Sequence, residues 1–223
     1  MSKRHQENLK LVEQEKKYST EEAVKLLKES SSAKFDETVE VVINLKIDVK
    51  QSDQLVRGSF SFPKGVGRSV RVIAIAEEAG AEAAREAGAL EAGGDELIKK
   101  IEEGWFDFDV MLAQPSMMKK IGKLGRVLGP KGLMPSPKSG SITEDIGSAV
   151  KEFSAGKIEF RNDRLGNVQV PVGKISFAEN DLCENIKAFY NHICAMRPSA
   201  VKGIFVKSVF ISSTMGPGIE LDI

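Results

Sequence analysis

Glycine, proline and basic residues are interleaved in the segment from Leu124 to Lys138, LGRVLGPKGLMPSPK. Glycine or proline fills six of its fifteen positions, and its positive charges belong to Arg126, Lys131 and Lys138. Proline fixes φ and lacks a backbone donor, whereas glycine adopts conformations that other residues avoid. The composition therefore predicts a shaped loop, neither regular helix nor regular strand, that presents positive charge to phosphate.

Three further segments combine polar donors with an aromatic or apolar group at the ends of predicted strands. They are Lys34-Phe35, Phe160-Arg161-Asn162-Asp163-Arg164 and Thr214-Met215-Gly216-Pro217-Gly218. If they gather on one surface, Phe35 could pack on a base or ribose, and Arg161 and Arg164 could pair with phosphates. Gly216 could then let the backbone approach RNA closely. The alternative is three unrelated turns at strand ends.

The sequence contains no recognisable catalytic motif: it has no G-x-S-x-G elbow, no plausible Cys–His pair and no GxGxxG fingerprint after its first apolar run. A Walker A loop fails because Leu124 follows Gly122-Lys123, where a Ser or Thr hydroxyl must bind Mg²⁺. The tetrapeptide GPKG from Gly129 fits the GXXG pattern of KH domains, but its proline and its strand–helix context argue against that fold. We predict that the protein is not an enzyme. The alternatives are a small-ligand enzyme whose glycine-rich loop holds a nucleotide and a scaffold whose basic patches contact protein.

The two cysteines give no sign of a disulfide or a metal site. Cys183 and Cys194 lie eleven residues apart on a predicted helix, three turns from each other and too far for a disulfide. His5 and His192 are the only histidines, and neither a CxxC nor an HxxxH spacing occurs. We expect buried structural thiols, no metal and no cofactor.

The net charge of +0 hides a segregation of charge along the chain. Residues 77–109 carry eleven acidic and three basic residues, whereas residues 110–143 carry six basic residues and no acidic one. Residues 185–219 repeat the basic excess. Local basic surfaces suit an anionic partner such as RNA, although such faces can also be merely solvated.

No run of eighteen apolar residues exists, and the start MSKRHQENLK lacks a hydrophobic signal region. The sequence therefore predicts a cytoplasmic protein with no membrane contact.

The elements that must position these side chains fall into two styles, of which the first uses strands with one buried face. Thr20 is predicted to cap a helix that ends in the Ser30–Ser32 cluster. Apolar and polar residues then alternate from Val39 to Ile47, which predicts a strand, and Arg57–Phe62 is its predicted partner. The last third of the chain resumes this style. Its predicted elements are a hairpin of residues 158–161 and 167–172, a helix over 179–196 and a strand over 204–213.

The second style occupies the middle of the chain. Val70–Ala76 is apolar without alternation, as in strands that are buried on both faces. Its predicted successors are an acidic helix, a turn at Gly93-Gly94, a helix over 95–103, a strand over 109–113, a short helix near 117–121, a strand near 141–143 and a helix over 144–153. Such alternation of strand and helix predicts βαβ units and a parallel sheet.

The predicted fold class is accordingly α+β and α/β in two domains. Residues 1–66 and 158–223 would form a split βαβ domain with an antiparallel sheet. Residues 67–157 would form an inserted Rossmann-like domain with a parallel sheet, and the two adjacent crossings of the chain would make a natural hinge.

The segment 124–138 resembles the signature of the ribosomal protein L-one family, whose members form part of the mobile stalk of the large ribosomal subunit. The resemblance continues in family order through AKFDETVE from Ala33, SDQ from Ser52, VRG from Val56, GKIEFRND from Gly156 and STMGP from Ser213. The length and uninterrupted layout are similar to the bacterial form.

This resemblance implies a protein that binds the stalk helices of 23S rRNA, assists movement and release of exit-site tRNA, and represses translation of its own operon mRNA. It also implies a monomer when the protein is free. Carried over by motif, the rRNA-binding residues are Lys34, Phe35, Thr38, Arg161, Asp163, Arg164, Ser208, Thr214, Met215 and Gly216. Arg126, Lys131 and Lys138 would make a secondary contact with RNA or tRNA.

Overall fold

The computed structural model describes residues 3–13 and 16–223. Packing divides the chain into two compact units: the described residues up to Gly67 with Phe160–Ile223 form the first, and Arg68–Glu159 forms the second. In chain order the elements are α1 (Lys3–Leu11), α2 (Thr20–Ser30), β1 (Thr38–Leu45), β2 (Arg57–Ser61), β3 (Val72–Ile75), α3 (Glu78–Glu86), β4 (Glu91–Gly93), α4 (Asp95–Glu102), β5 (Val110–Ala113), α5 (Met118–Ile121), α6 (Gly125–Lys131), α7 (Ile146–Ser154), β6 (Lys157–Arg161), β7 (Asn167–Lys174), α8 (Glu179–Ala195), β8 (Val206–Ser213) and β9 (Ile219–Leu221).

The first unit is built on a four-stranded antiparallel sheet in the order β7-β1-β8-β9. The odd-numbered residues of β1 from Val39 to Leu45 are fully buried, and α2 and α8 pack on that side. The alternate residues, among them Glu40 and Asn44, lie on the other face, which no helix of the described unit covers. The sequence pattern of β1 thus gives one core face and one open polar face.

The partners of β2 and β6 differ from the sequence-based prediction. β2 pairs with β6 in a separate two-stranded sheet and not with β1, so β6 and β7 do not form the predicted hairpin. Alternation identifies a strand and its buried face but not its partner. Here the choice depends on packing, because Phe160 of β6 and Phe60 of β2 both set their rings against Phe189 of α8. Strand β9 was not predicted from the sequence.

The residue that caps α2 also differs from the predicted one. Ser19 is the cap of α2: its hydroxyl accepts from the backbone N–H of Glu22, whose carboxylate accepts from the N–H of Ser19. Thr20, the predicted cap, is already the first helical residue and is buried. This reciprocal pair is a capping box, which satisfies two backbone donors at once.

The second unit carries a three-stranded parallel sheet in the order β4-β3-β5, which confirms the Rossmann-like prediction. Its edge strand β4 was predicted as part of a turn, because three residues ending in glycine give no strand signal. Ala92 is nevertheless buried opposite Ala74 of β3. The strand predicted near residues 141–143 is reduced to one bridge between Ile142 and Ala113.

The prediction that the glycine- and proline-rich segment contains no regular helix is wrong, since α6 occupies Gly125–Lys131. Met117, Ile121, Leu124 and Leu128 are all buried in one core cluster. Their spacing of four, three and four residues places them on one face of a continuous helical run, and this burial outweighs the bond lost at Pro130. The run stops at Gly132, whose φ of 71° is left-handed.

Both cysteines are free, but only Cys183 is buried, so the expectation of two buried thiols fails for Cys194, which is partly exposed. Among the residues that the structure describes, no group of three or more His, Cys, Asp and Glu side chains is placed to hold a metal ion. No helix within 3–13 and 16–223 is long and apolar enough to cross a membrane.

Candidate nucleic-acid interface

A buried carboxylate organises one end of the four-stranded sheet. Glu37 is 1% exposed and stands directly before β1. One of its oxygens accepts hydrogen bonds from Ser213 Oγ at 2.6 Å and from the backbone N–H of Met215 at 3.0 Å, and the other accepts from Ser31 Oγ at 3.0 Å. Glu37 therefore ties the segment before β1 to the corner that follows β8.

Burial by itself would raise the pKa of the Glu37 carboxyl. The hydrogen bonds from Ser213, Met215, Ser31 and the backbone of Ala33 outweigh this and lower the pKa below its ordinary value. The carboxylate consequently stays ionised at neutral pH, as an anchor with its partners already in place.

The anchored corner presents apolar and basic groups to solvent. Phe35 is 55% exposed, Met215 is 47% exposed, and Lys34, which precedes Phe35, is also exposed. The hydroxyl of Thr214 accepts from the backbone N–H of Thr38 at 3.0 Å. We call this set, residues 34–38 with 213–216, the Glu37 corner.

Gly216 meets a strict spatial requirement in this corner. A Cβ atom built on Gly216 would lie 2.5 Å from Ser213 Oγ, the same oxygen that donates to Glu37. The sequence analysis assigned Gly216 to close approach of RNA; inside the protein it makes room for the bond between Ser213 and Glu37.

The turn at residues 161–166 forms a second cluster. Asp163 is bonded within the turn: its oxygens accept from the N–H groups of Leu165 and Asn167 at 2.8 Å each and from Asn167 Nδ2 at 3.0 Å. The bond from the Asn167 backbone is the largest influence on the Asp163 carboxyl, whose pKa is lowered. Arg161 and Arg164 flank it and are exposed.

The structure does not gather all the predicted residues in one place. Thr38 at the start of β1 pairs with Lys174, whereas Asn44 near its end pairs with Asn167 and Ser208. Six residues of strand separate these positions, about 20 Å. The Glu37 corner thus lies at one end of the open sheet face, and the 161–166 turn and Ser208 lie at the other.

Two side chains of this surface were not among the predicted residues. Lys174 Nζ donates to Thr38 Oγ1 at 2.7 Å and adds a cation to the Glu37 corner. Glu37 lies within the sequence block from Ala33 that resembles the family, but no role was predicted for it. A carboxylate beside a strand of alternating apolar residues was the only signal for its burial.

The three basic residues of the second unit have different environments. Lys131 Nζ lies 3.3 Å from the ring centroid of Phe106, a cation–π contact. Arg126 and Lys138 are exposed, and neither forms an ion pair within the described part of the chain. Arg126 and Lys131 lie on the helix α6, and Lys138 lies in a separate short 3₁₀ turn, Pro137–Ser139.

Comparison with known proteins gives a consistent result over the whole chain. Residues 27–217 match the family described as "Ribosomal protein L1p/L10e family". A "Large ribosomal subunit protein uL1" from Fervidobacterium nodosum is 54% identical over 223 residues, which are all of this chain and 95% of that protein. Proteins of the same name from Lactobacillus delbrueckii subsp. bulgaricus and Thermosipho melanesiensis are each 50% identical over 99% of this chain and cover 95% and 96% of their own lengths.

Proposed function

The chain belongs to the ribosomal protein L1p/L10e family, and from this premise we propose that it is a structural, non-enzymatic constituent of the large ribosomal subunit in the cytoplasm. Its partner is 23S rRNA. The two compact units are the two domains of the protein. We assign rRNA binding to the unit that is built on the four-stranded sheet.

The Glu37 corner is the observation that supports this assignment most directly. A buried, ionised carboxylate that is fully occupied by donors within the protein holds Phe35 and Met215 in exposed positions. Exposed aromatic and apolar groups beside Lys34 offer stacking for a base and pairing for phosphate. A rigid arrangement of this kind lowers the ordering cost of binding.

Within this function we assign the finer roles as follows. Lys34, Phe35, Met215, Arg161 and Arg164 contact the stalk helices of 23S rRNA. The remaining predicted residues act by position: Thr38, Asp163, Ser208, Thr214 and Gly216 shape the sheet ends from which those side chains project. Spanning both ends requires RNA that follows the sheet for about 20 Å.

Further proposed partners are exit-site tRNA and the protein's own operon mRNA, and the protein is a monomer when free. Arg126 and Lys138, exposed on the second unit, supply the secondary contact with RNA or tRNA, and Lys131 contributes through its position over Phe106. For the mRNA we propose competition with rRNA for the same surface of the first unit.

The test is direct binding of the full-length chain to 23S rRNA with Phe35→Ala as the diagnostic variant. Loss of one stacked aromatic is worth about 1 to 3 kcal/mol per base, so affinity is expected to fall by about fivefold or more. Leu90→Ala, at an exposed apolar position of the second unit, is the matched control and keeps wild-type affinity. Equal affinity of both variants and the wild type would remove the Glu37 corner from the interface.

A further inference from the structure

An open cleft lies beside the 161–166 turn, next to the point where β1 ends. It has a volume of about 460 Å³ and is lined by Val49, Leu55, Arg161, Asn162, Asp163 and Arg164. Leu45, the last residue of β1, donates its N–H to the carbonyl of Gly166 at 2.9 Å, which fixes the turn to the sheet. A volume of this size is typical of small-ligand sites.

The walls of the cleft are held by internal hydrogen bonds. In the loop that carries Val49, the N–H of Asp48 donates to Gln54 Oε1 at 2.8 Å, and Gln54 Nε2 donates to Gln51 Oε1 at 2.7 Å. On the other side, the side-chain oxygen of Asn162 accepts from Val56 N and its amide nitrogen donates to the carbonyl of Asp163. The shape of the cleft is therefore present before any partner binds.

The chemistry of the lining has two parts. Val49 and Leu55 supply a half-buried apolar surface, and Arg161 and Arg164 supply two exposed guanidinium groups. Asp163 contributes one negative charge, so the two guanidinium groups leave the lining positive, and the Asp163 oxygens accept from donors of the turn. Neither arginine forms an ion pair among the described residues.

The 161–166 turn carries one exposed leucine. Leu165 is 81% exposed and follows Arg164 directly. A single exposed leucine is ordinary on a protein surface. It adds an exposed apolar group next to Arg164 in the sequence.

We infer that this cleft holds one unstacked nucleotide of the bound RNA, an inference that rests on the proposed function because RNA is the partner. The base packs on Val49 and Leu55, the flanking phosphates pair with Arg161, and the planar guanidinium of Arg164 stacks on the base. An apolar surface beside planar cations matches a splayed-out base with its phosphates. An acidic peptide would satisfy the arginines but leave the apolar floor without a partner.

The experiment measures affinity for 23S rRNA and base reactivity to chemical probes in complexes of the full-length chain. Val49→Glu places a carboxylate in the cleft, and Ser52→Glu adds the same charge at an exposed position of the same loop outside it. Arg164→Lys keeps the charge but removes the planar stacking group. Thermal unfolding of each variant reports whether the fold is intact.

In the wild type and Ser52→Glu, one base near the footprint should be protected. Val49→Glu should restore the reactivity of this base and reduce the affinity for rRNA about tenfold. Arg164→Lys should give intermediate values of both. The RNA bases that contact the Glu37 corner should stay protected in both variants. Wild-type affinity and protection in Val49→Glu would overturn the cleft while leaving the proposed function intact. No rRNA binding by the wild type would overturn both. If Val49→Glu still bound rRNA but was no longer incorporated into the large subunit, the cleft would be assigned to a protein partner. That result would overturn the inference that the cleft holds a nucleotide.

Discussion

The carboxylate of Glu37 and the hydroxyl of Ser213 are joined by a 2.6 Å hydrogen bond although 176 residues separate them in the chain. The bond links the segment before the first strand of the sheet to the corner after β8. Since Met215 donates to the same carboxylate oxygen, the positions of Phe35 and Met215 depend on one buried group. Stability and RNA recognition are therefore coupled at this corner.

Replacing Glu37 with glutamine should destabilise the protein. One carboxylate oxygen becomes an amide NH₂, which cannot accept from Ser213, Met215 or Ser31, so at least one buried donor loses its partner. The expected loss in the free energy of unfolding is about 1 to 3 kcal/mol, measured by urea denaturation. Glu40→Gln, at an exposed position of the same strand, is the control and should be neutral. Equal stabilities of the two variants would contradict the anchoring role.

Gly216→Ala should weaken the same hydrogen bond without changing any charge. The added Cβ would lie 2.5 Å from Ser213 Oγ, so the hydroxyl must move away from Glu37. We expect a loss of about 1 kcal/mol in the free energy of unfolding and reduced rRNA affinity. Gly218→Ala meets nothing within 4 Å and should behave like the wild type. A fully stable Gly216→Ala variant would show that the corner can rearrange.

The stability of the protein should fall in mildly acidic solution because of His192. Its ring lies 4.8 Å from that of Phe60, and burial lowers its pKa below 6.5. The unfolded chain therefore takes up this proton at a higher pH than the folded chain does. Stability is fully present above about pH 6.5 and is lost as the pH falls from there toward the lowered pKa.

The measurement is the free energy of unfolding in urea between about pH 7.5 and 5. His192→Gln removes the titrating group and should flatten the dependence over this range. His5→Gln, a substitution of the other histidine, is the control and should leave the slope in place. The same slope in all three proteins would assign the pH dependence to other groups.

Lys34→Ala should reduce the salt dependence of rRNA binding. A lysine that neutralises one phosphate contributes about 0.7 to 0.9 to the slope of log affinity against log salt concentration. The full-length variant is titrated with 23S rRNA at several salt concentrations. Lys25→Ala is the control, because Lys25 is exposed on α2, on the helical side of the sheet, and it should retain the wild-type slope.

Two glycines of the helical run in the second unit should respond to alanine in opposite directions. Gly122 has helical backbone angles and open space around it, so Gly122→Ala should stabilise by about 0.5 to 1 kcal/mol. Gly132 ends the run with a φ of 71°, and Gly132→Ala should destabilise by about 1 kcal/mol despite the same open space. Thermal unfolding of both variants provides the comparison, and an equal response would argue against the helix end at Gly132.

The sequence was most informative where local pattern and burial coincide. Alternation in β1 and the unbroken apolar run of β3 predicted both strands and the two sheet types, because side-chain period reports which faces are buried. The same reasoning failed for Leu124–Lys138. Its glycines and prolines indicated a loop, while the apolar spacing of Met117, Ile121, Leu124 and Leu128 across the segment boundary favoured a helix.

For the candidate site, too, some features could be predicted from the sequence and others could not. Residue types alone selected Lys34, Phe35 and Met215 as groups suited to RNA, since charge and aromatic character belong to the side chain itself. The sequence by itself thus determined the family, the two sheet styles and the chemistry available at the strand ends. Tertiary structure alone decided that Glu37 is buried, that β2 pairs with β6, and that the Glu37 corner and the 161–166 turn lie about 20 Å apart. These depend on contacts between residues about a hundred or more positions apart, which no local pattern encodes.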